Sequence, residues 1–202
     1  MKKSFYLKLY FSVFGKLISA IMNLFSLIHK PFMVYGFFNS ISKEYNLRTR
    51  ISSTTKFLQR KNVDIADNVW VWHYSIIDGS APVKIHEGVQ IGAWVGIFTH
   101  SSHNAIRMNG DKYFELSVED RVGYSIDSVE IGAYTFIGAS SVILPGVKLG
   151  KGCIVGAGSI VNKSFPDYSV ISGNPAILTG NTEKIDKFFL RKESNKINYY
   201  NI

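Results

Sequence analysis

Aliphatic residues recur at every sixth position in two blocks of the chain. A small or β-branched residue precedes most of them by two positions, so each pair would point inward from a short strand. An amphipathic helix cannot hold a strict period of six, and hairpin sheets need longer strands. The pattern therefore predicts three sides that close one coil of a triangular prism, with parallel coils stacked on an aliphatic core. The recurring residues are Ile65, Val71, Ile77, Ile85, Ile91 and Ile97, then Ile131, Ile137, Ile143, Leu149, Val155 and Val161.

Glycine follows the recurring aliphatic residue in several repeats. We expect these positions to be tight corners whose dihedral angles favour glycine. The glycines are Gly92, Gly132, Gly138, Gly150 and Gly156.

The first 62 residues differ from the rest of the chain in charge and in pattern. They hold eleven Lys or Arg and one acid, Glu44, which gives +10, whereas the remainder has twelve basic and fourteen acidic residues, which gives −2. Polar residues from Lys8 to Lys30 recur in steps of three and four, which predicts an amphipathic helix that ends before Pro31. The expected regions are a basic helical region over 1–62, the coil stack over 63–180, and a short helix with a tail over 181–202.

Two interpretations of the predicted helix over residues 2–30 stay open. Its apolar face packs on the rest of the protein or on a second copy, or it lies flat on an anionic membrane with its lysines on the headgroups. A spanning helix needs about 20 mostly apolar residues, and only residues 17–29 are free of charge. Lys16 within the apolar stretch argues against a signal peptide. Nucleic acid is not expected as a partner, and the single cysteine agrees with a cytoplasmic protein.

The period of six fails after Ile97 and resumes at Val129. Residues 103–127 are therefore predicted to form a loop extruded from the prism, and such a long insertion in a compact solenoid is more often functional than not. His100 stands where the last regular strand ends, and a rigid scaffold there can hold a catalytic base steady.

The sequence THSSHNAIRMNGDKYF (residues 99–114), with the repeats that end in SGNP (residues 172–175), resembles the hexapeptide-repeat sugar O-acetyltransferases. This group contains the galactoside and maltose acetyltransferases and the enzymes that acetylate bacterial capsule or O-antigen. The resemblance implies a mainly β fold, a left-handed parallel β-helix, with acetyl-CoA as the acyl donor. It also implies a homotrimer whose sites lie between subunits, and a saccharide acceptor.

The resemblance assigns His100 as the catalytic base. A sugar hydroxyl attacks a thioester efficiently only if a neighbouring group takes its proton, and neutral imidazole, whose ordinary pKa is about 6.5, suits this step. No covalent enzyme intermediate is needed. The backbone amides of Ala139 or Ser140 could stabilise the negative charge on the carbonyl oxygen.

Further candidate residues fall into two groups. In the group proposed to bind the acceptor, Asp111 and Glu115 could orient His100 or simply be solvated, and Arg107 either braces the loop or contacts the ligand. In the group proposed to bind coenzyme A, small residues would let the coenzyme approach the backbone, and Lys163 could bind its phosphates. The acceptor candidates are Trp72, His73, His103, Arg107, Asp111 and Glu115. The coenzyme candidates are Tyr134, Phe136, Ala139, Ser140, Gly156, Ala157, Lys163, Asn174 and Pro175.

The chain also departs from the family pattern. Trp72 and His73 lie where the small-sugar enzymes usually carry an Asn, and the basic segment replaces their helical cap. The acceptor is therefore expected to be a glycan carried on a membrane lipid or built at the inner face of the membrane. Two other functions are weighed: a non-catalytic scaffold that docks at membranes, and a zinc carbonic anhydrase. The spacing of His100 and His103 does not match the zinc ligands of that enzyme, and no metal is expected.

Overall fold

The computed structural model describes residue 8 and residues 11–28, 30–193 and 199–200. The chain divides into two compact units, Met1–Phe32 and Met33–Ile202.

Helix α1 of the first unit spans Val13–Ile28. Ser12 caps it, because its hydroxyl accepts a hydrogen bond from the backbone N–H of Gly15 at 3.1 Å. Residues 1–7 and 9–10, where the predicted helix would begin, lie outside the described residues. In the part of the chain that the structure describes, no helix is long and apolar enough to cross a membrane.

Residues 33–58 form strands, which differs from the helical region expected over 1–62. Strand β1 (Met33–Phe38) pairs antiparallel with β2 (Tyr45–Ser52), and β3 (Lys56–Leu58) follows. Strand β2 alternates basic and β-branched residues, so Thr49 and Ile51 are buried while Arg48 is exposed. That alternation is typical of a strand with one buried face. A prediction based on the net charge of the region does not reveal such a strand.

The described part of the second unit forms three sheets that the chain visits in turn, together with a two-stranded ribbon. Between successive coils the pairing is parallel. Sheet 1 contains β1, β2, β5 (Trp70–Val71), β8 (Gln90–Ile91), β13 (Phe136–Ile137), β16 (Ile154–Val155), β18 (Ser169–Gly173) and β19 (Ala176–Asn181). Sheet 2 contains β3, β6 (Ile76–Asp78), β9 (Gly96–Ile97), β14 (Val142–Ile143) and β17 (Ile160–Val161). Sheet 3 contains β4 (Val63–Ile65), β7 (Val83–Ile85), β12 (Val129–Ile131) and β15 (Lys148–Leu149).

The core of the coil stack confirms the predicted period. All twelve recurring aliphatic residues are exposed by 2% or less. Hydroxyl groups in the same interior are satisfied by corner carbonyls: Ser75 donates to Gly92 at 3.0 Å, and Thr135 donates to Gly150 at 2.9 Å.

The expectation that the repeated glycines adopt dihedral angles that favour glycine is wrong. None of these five glycines has a positive φ. A side chain at these positions would instead meet the next coil: a Cβ on Gly92 would lie 2.6 Å from the backbone nitrogen of Ala139, and one on Gly138 would lie 2.5 Å from that of Ala157. Glycine is thus needed because the backbones approach closely.

The segment between β9 and β12 leaves the parallel coils. Strands β10 (His100–Ser101) and β11 (Ser125–Ile126) pair antiparallel. Between them lie helix α2 (Ala105–Asn109) and a 3₁₀ helix over Gly110–Phe114. At the other end of the chain, the β18–β19 hairpin leads into helix α3 (Thr182–Glu193).

Candidate active site

The imidazole of His100 is held by a buried carboxylate. Its Nδ1 lies 2.6 Å from Oδ2 of Asp78. The side chain of Asp78 is fully buried, whereas that of His100 is one third exposed. Because an ionised carboxylate only accepts hydrogen bonds, Nδ1 is the protonated nitrogen and Nε2 of the neutral ring carries the lone pair.

Asp78 is fixed by several donors. Ser80 donates to Oδ1 through its hydroxyl at 2.7 Å and its N–H at 3.0 Å, and the N–H of Thr99 donates to Oδ2 at 3.1 Å. Burial raises the pKa of Asp78, but hydrogen bonds from Ser80, Thr99 and His100 outweigh burial and hold the pKa below its ordinary value. The carboxylate therefore stays charged at neutral pH.

The coil stack brings these two residues together at one corner. Asp78 ends β6, and His100 follows β9, the neighbouring strand of sheet 2. After both strands the period of six is interrupted, by two extra residues after Asp78 and by the long loop after His100. The corner between sheets 2 and 3, here the 2–3 corner, is thus where the chain departs from its repeat.

One face of the His100 ring is covered by the loop. Tyr124 stacks on it with ring centroids 5.9 Å apart and planes 13° apart. Among the described residues, no hydrogen-bond partner occupies Nε2. A ring held at Nδ1 and stacked on one face, with Nε2 available, can accept a proton from a hydroxyl group at a fixed position.

Of the two roles left open for Asp111 and Glu115, orienting His100 or being solvated, their placement agrees with the second. Asp111 lies on the exposed 3₁₀ helix and Glu115 directly follows it. Both belong to the outer part of the loop, whereas Asp78 comes from the coil directly beneath the ring. Because an interior position also desolvates the carboxylate, Asp78 is the stronger partner.

Arg107 and His103 make contacts within the loop. The guanidinium of Arg107 donates to the backbone carbonyl of His103 and to the side chain of Asn104. Nδ1 of His103 lies 2.7 Å from the hydroxyl of Ser101, and the ring is exposed. Arg107 therefore braces the loop, one of its two expected roles.

Four coenzyme candidates lie at the opposite edge of sheet 2, where it meets sheet 1; this edge is called the 1–2 corner. They are Ala139, Ser140, Gly156 and Ala157. The N–H of Ser140 already donates to the carbonyl of Ala93 at 2.8 Å. Within the described residues the N–H groups of Ala139 and Ala157 donate no hydrogen bond. Ala139 thus remains available to bind an oxyanion, and Ser140 does not.

The remaining coenzyme candidates are more dispersed. Phe136 faces outward on sheet 1 and is 45% exposed. Tyr134 lies at the corner of sheets 3 and 1, stacked on Tyr200 with centroids 4.7 Å apart. Lys163 follows β17 at the 2–3 corner. Asn174 and Pro175 form the turn between β18 and β19.

Trp72 and His73 also lie at the 1–2 corner, between β5 and β6. The two rings are in edge contact, with centroids 5.6 Å apart. Within one chain they therefore stand at the edge of sheet 2 away from His100.

His86 lies on the side of sheet 3, directly after β7. Its Nε2 is 2.8 Å from Oε1 of Glu130, and both line an open depression of about 630 Å³ with Lys148 and Lys151. Among the described residues, no group of three or more His, Cys, Asp or Glu side chains could hold a metal ion.

Asp78 was missed in the sequence, although a signal was present. It occupies the position after a recurring aliphatic residue, where glycine stands in several repeats, and two extra residues follow it. A buried acid at a break in the repeat needs compensation, which is a mark of function.

Comparisons with known proteins agree with this architecture. A family model, bacterial transferase hexapeptide with six repeats, matches residues 128–163. The chain is 31% identical over 140 residues to Saccharomyces cerevisiae YJL218W, which is provisionally named an acetyltransferase; the match covers 68% of this chain and 62% of that protein.

Two solved structures are similar in fold. A galactoside acetyltransferase in complex with coenzyme A has a TM-score of 0.55 at 28% identity, over 66% of this chain and 62% of that one. A Vibrio cholerae hexapeptide-repeat acetyltransferase, VCA0836, complexed with acetyl-coenzyme A, has a TM-score of 0.54 at 23% identity, over 63% and 64%. The chain thus spans less than two thirds of each of these three proteins. The six-residue repeat, the parallel coils that it forms and these similarities place residues 128–163 in the bacterial transferase hexapeptide family and make the coil stack similar to those of known acetyltransferases.

Proposed function

We propose that the protein is an acetyl-CoA-dependent O-acetyltransferase that acts on a sugar hydroxyl of a bacterial surface glycan. The observation that carries this proposal is the Asp78–His100 pair at the mouth of the loop. Support also comes from the family and from relatives named as acetyltransferases.

The proposed reaction is a direct transfer. Nε2 of His100 takes the proton of the hydroxyl group as its oxygen attacks the thioester carbonyl carbon. The negative charge on the carbonyl oxygen is bound by the N–H of Ala139. The C–S bond then breaks, the acetyl ester is released, and the thiolate takes the proton back from His100.

Asp78 acts in this scheme as a positioning residue. Its charge keeps the proton on Nδ1, so the basic nitrogen faces the acceptor, and it stabilises the imidazolium that forms. The desolvated setting strengthens that interaction compared with a surface ion pair.

We propose that coenzyme A lies along sheet 2 and the 1–2 corner. The free N–H group of Ala157, one coil beyond Ala139, offers a donor to an amide of the pantetheine arm. Gly156 and its neighbours leave room for the arm, and Lys163 at the other edge of sheet 2 offers a cation for a phosphate.

We further propose a homotrimer of left-handed coils, because one chain separates the parts of the site. His100 stands at one edge of sheet 2 and Ala139 at the other. The side of the coil between these edges, residues 95–98, spans about 13 Å at about 3.3 Å of rise per residue. Acyl transfer needs reacting atoms about 3–3.5 Å apart. A second copy that presents its 1–2 corner to the 2–3 corner of the first closes this gap.

The surfaces of the sheets support that arrangement. The outward positions of sheet 2 are apolar in four strands, at Ile76, Gly96, Val142 and Ile160, and basic in the first strand, at Lys56. Those of sheet 3 alternate in charge across the strands, at Asp64, Lys84, Glu130 and Lys148. The apolar face suits contact with a second copy and a ligand, whereas the charged face suits water.

We propose that the protein works at the inner face of the membrane, with peripheral contact through residues 2–30. Apolar side chains of α1 are exposed in its unit: Phe14 by 61%, Leu17 by 56% and Leu24 by 60%. Lys16 lies on the polar stripe of the same helix. This combination suits an anionic interface.

A thiol-release assay with acetyl-CoA and a panel of capsule, O-antigen and lipid-linked glycans tests the activity. The parent protein is expected to release coenzyme A with one acceptor, and His100→Ala is expected to lose about 10²- to 10⁴-fold in kcat/KM. His86→Gln, at the distant sheet 3 depression, is the matched control. A His100→Ala variant as fast as the parent would overturn the mechanism.

Flotation with phosphatidylglycerol vesicles tests the membrane contact. The full chain is expected to float with these vesicles and much less with phosphatidylcholine vesicles, and Lys16→Glu is expected to weaken binding. A protein that stays in the aqueous fraction with both vesicles would contradict the contact, without affecting the transfer reaction.

A further inference from the structure

The 1–2 corner carries a second feature, a pair of stacked and exposed aromatic rings. Tyr74 and Trp94 lie with centroids 5.7 Å apart and planes 10° apart. Tyr74 is 47% exposed and Trp94 is 61% exposed. Trp72 and His73 continue the row through edge contacts.

These two residues sit where their backbone is strained. Tyr74 has φ 62° and Trp94 has φ 56°, a left-handed conformation that bulky side chains rarely adopt. Equivalent corners elsewhere use Asn68, Ser140 or Gly158, and two further corners use Tyr134 and Tyr168. The ring of Tyr134 packs on Tyr200, whereas Tyr74 and Trp94 stack on each other and are more exposed. Strained backbone clusters at functional sites, which favours a binding role for this exposed pair.

The pair is also held rigidly from below. The N–H of Tyr74 donates to Oγ1 of Thr54 at 2.9 Å. Nδ1 of His73 lies 2.6 Å from Oγ of Ser52, which is buried. The N–H of Trp94 donates to the carbonyl of His73 at 3.0 Å. A surface fixed in this way loses little conformational entropy when a ligand binds.

The position of the pair relates it to the proposed coenzyme corner. Trp94 and Ser140 belong to adjacent coils of the same corner, because Ser140 donates to Ala93, the residue before Trp94. Tyr74 lies one coil further toward the N-terminal end. The corner thus has an aromatic half and a small-residue half that meet between Trp94 and Ala139.

We infer that Tyr74 and Trp94 form a platform for a saccharide ring of the acceptor, supplied by the same subunit that holds the coenzyme, while His100 comes from the neighbouring subunit. A pyranose presents an apolar face of C–H groups that lies flat on aromatic rings, and exposed tryptophan and tyrosine offer such faces. The inference rests on the proposed function and adds which residues select the acceptor and from which subunit.

Replacements at residue 94 test the platform by steady-state kinetics. Trp94→Asn removes the ring and keeps a residue that this chain already uses in the left-handed conformation, at Asn68. It is expected to raise the KM for the glycan acceptor about tenfold, equivalent to about 1.4 kcal/mol, with the KM for acetyl-CoA within about twofold of the parent. Trp94→Tyr keeps a stacking ring and is expected to restore acceptor binding. Phe188→Ala, an exposed aromatic on α3, is the control.

Mixed trimers test the shared site. Trp94→Asn and His100→Ala chains, combined in equal amounts and allowed to exchange, would form intact sites wherever a His100 from one variant meets a Trp94 from the other. Random assembly makes about one quarter of all sites intact, so activity at low acceptor concentration should rise above that of either variant alone. Each variant carries a different affinity tag, and mixed trimers are purified through both tags. Trimers purified in this way that recover no activity would overturn the assignment to different subunits.

The outcomes separate the two proposals. If the parent protein transfers no acetyl group, the proposed function fails. If the parent is active and His100→Ala is not, but Trp94→Asn has the acceptor KM of the parent, only the platform fails. Loss of the trimer in Trp94→Asn, seen by light scattering, would show that the rings are a subunit contact and would also overturn the platform.

Discussion

Nδ1 of His100 lies 2.6 Å from Oδ2 of Asp78, and the two residues are 22 positions apart in the sequence. One turn of the coil brings them into register at the same corner. The carboxylate is fully buried while the ring reaches solvent. A charge is thus held beneath a ring that can exchange protons with a ligand.

Asp78→Asn should lower kcat/KM by about 10²- to 10⁴-fold, because an amide no longer fixes the proton on Nδ1 or stabilises the imidazolium. The thiol-release assay measures this, and KM for acetyl-CoA should change little. Glu119→Gln, an exposed loop carboxyl, is the control. Full activity of a folded Asp78→Asn protein would show that the pair does not take part in transfer.

The Asp78 carboxylate should make the free energy of unfolding depend on pH. Its pKa is lowered in the folded protein, so its contribution is present above the ordinary Asp pKa and is lost as pH falls through the folded value. The parent should therefore lose free energy of unfolding more steeply than Asp78→Asn between about pH 5 and pH 2. Urea unfolding at several pH values measures both curves. Parallel curves would mean that the folded and unfolded pKa values are equal.

The coil stack could be predicted from the sequence because its signal is repeated. Each coil places aliphatic residues at the same inward positions, so all twelve predicted core residues are buried. The strands over residues 33–58 were missed because they form only the first turn of the stack. Arg48 and Arg50 there indicated a basic region more strongly than Thr49 and Ile51 indicated a strand.

The candidate site was only partly predictable. His100 was a candidate because the repeat stops beside it and because residues 99–114 resemble the acetyltransferase motif. Its partner Asp78 depends on the stacking of coils, and contacts between residues 22 positions apart leave no local pattern. The exposed Tyr74–Trp94 pair likewise joins adjacent coils, so its stacking is seen only in the fold.

Gly138→Ala should destabilise the protein by about 1–3 kcal/mol, the usual effect of overpacking. The new methyl group would lie 2.5 Å from the backbone nitrogen of Ala157, which cannot move without disturbing the next coil. Gly180→Ala is the matched control, because its methyl would make ordinary contacts at 3.5–3.6 Å with Val170. Urea unfolding should separate the two variants. Equal stability of both would contradict close approach as the reason for glycine.

Cys153 should be a structural thiol that is slow to react. It is fully buried, its Sγ donates to the carbonyl of Pro166 at 3.2 Å, and burial raises the pKa of its thiol. Because the thiolate is the reactive form, iodoacetamide should modify the folded protein far more slowly than the urea-unfolded protein. Mass spectrometry measures the labelled fraction with time.

A replacement separates burial from catalysis at this thiol. Serine already occupies the equivalent inward position at Ser75, Ser141 and Ser159, where its hydroxyl contacts a neighbouring backbone. Cys153→Ser should therefore fold and retain the kcat of the parent, because the hydroxyl can donate to the same carbonyl as the thiol. Rapid alkylation of the native protein with loss of activity, together with an inactive but folded Cys153→Ser, would instead identify the thiol as part of the reaction.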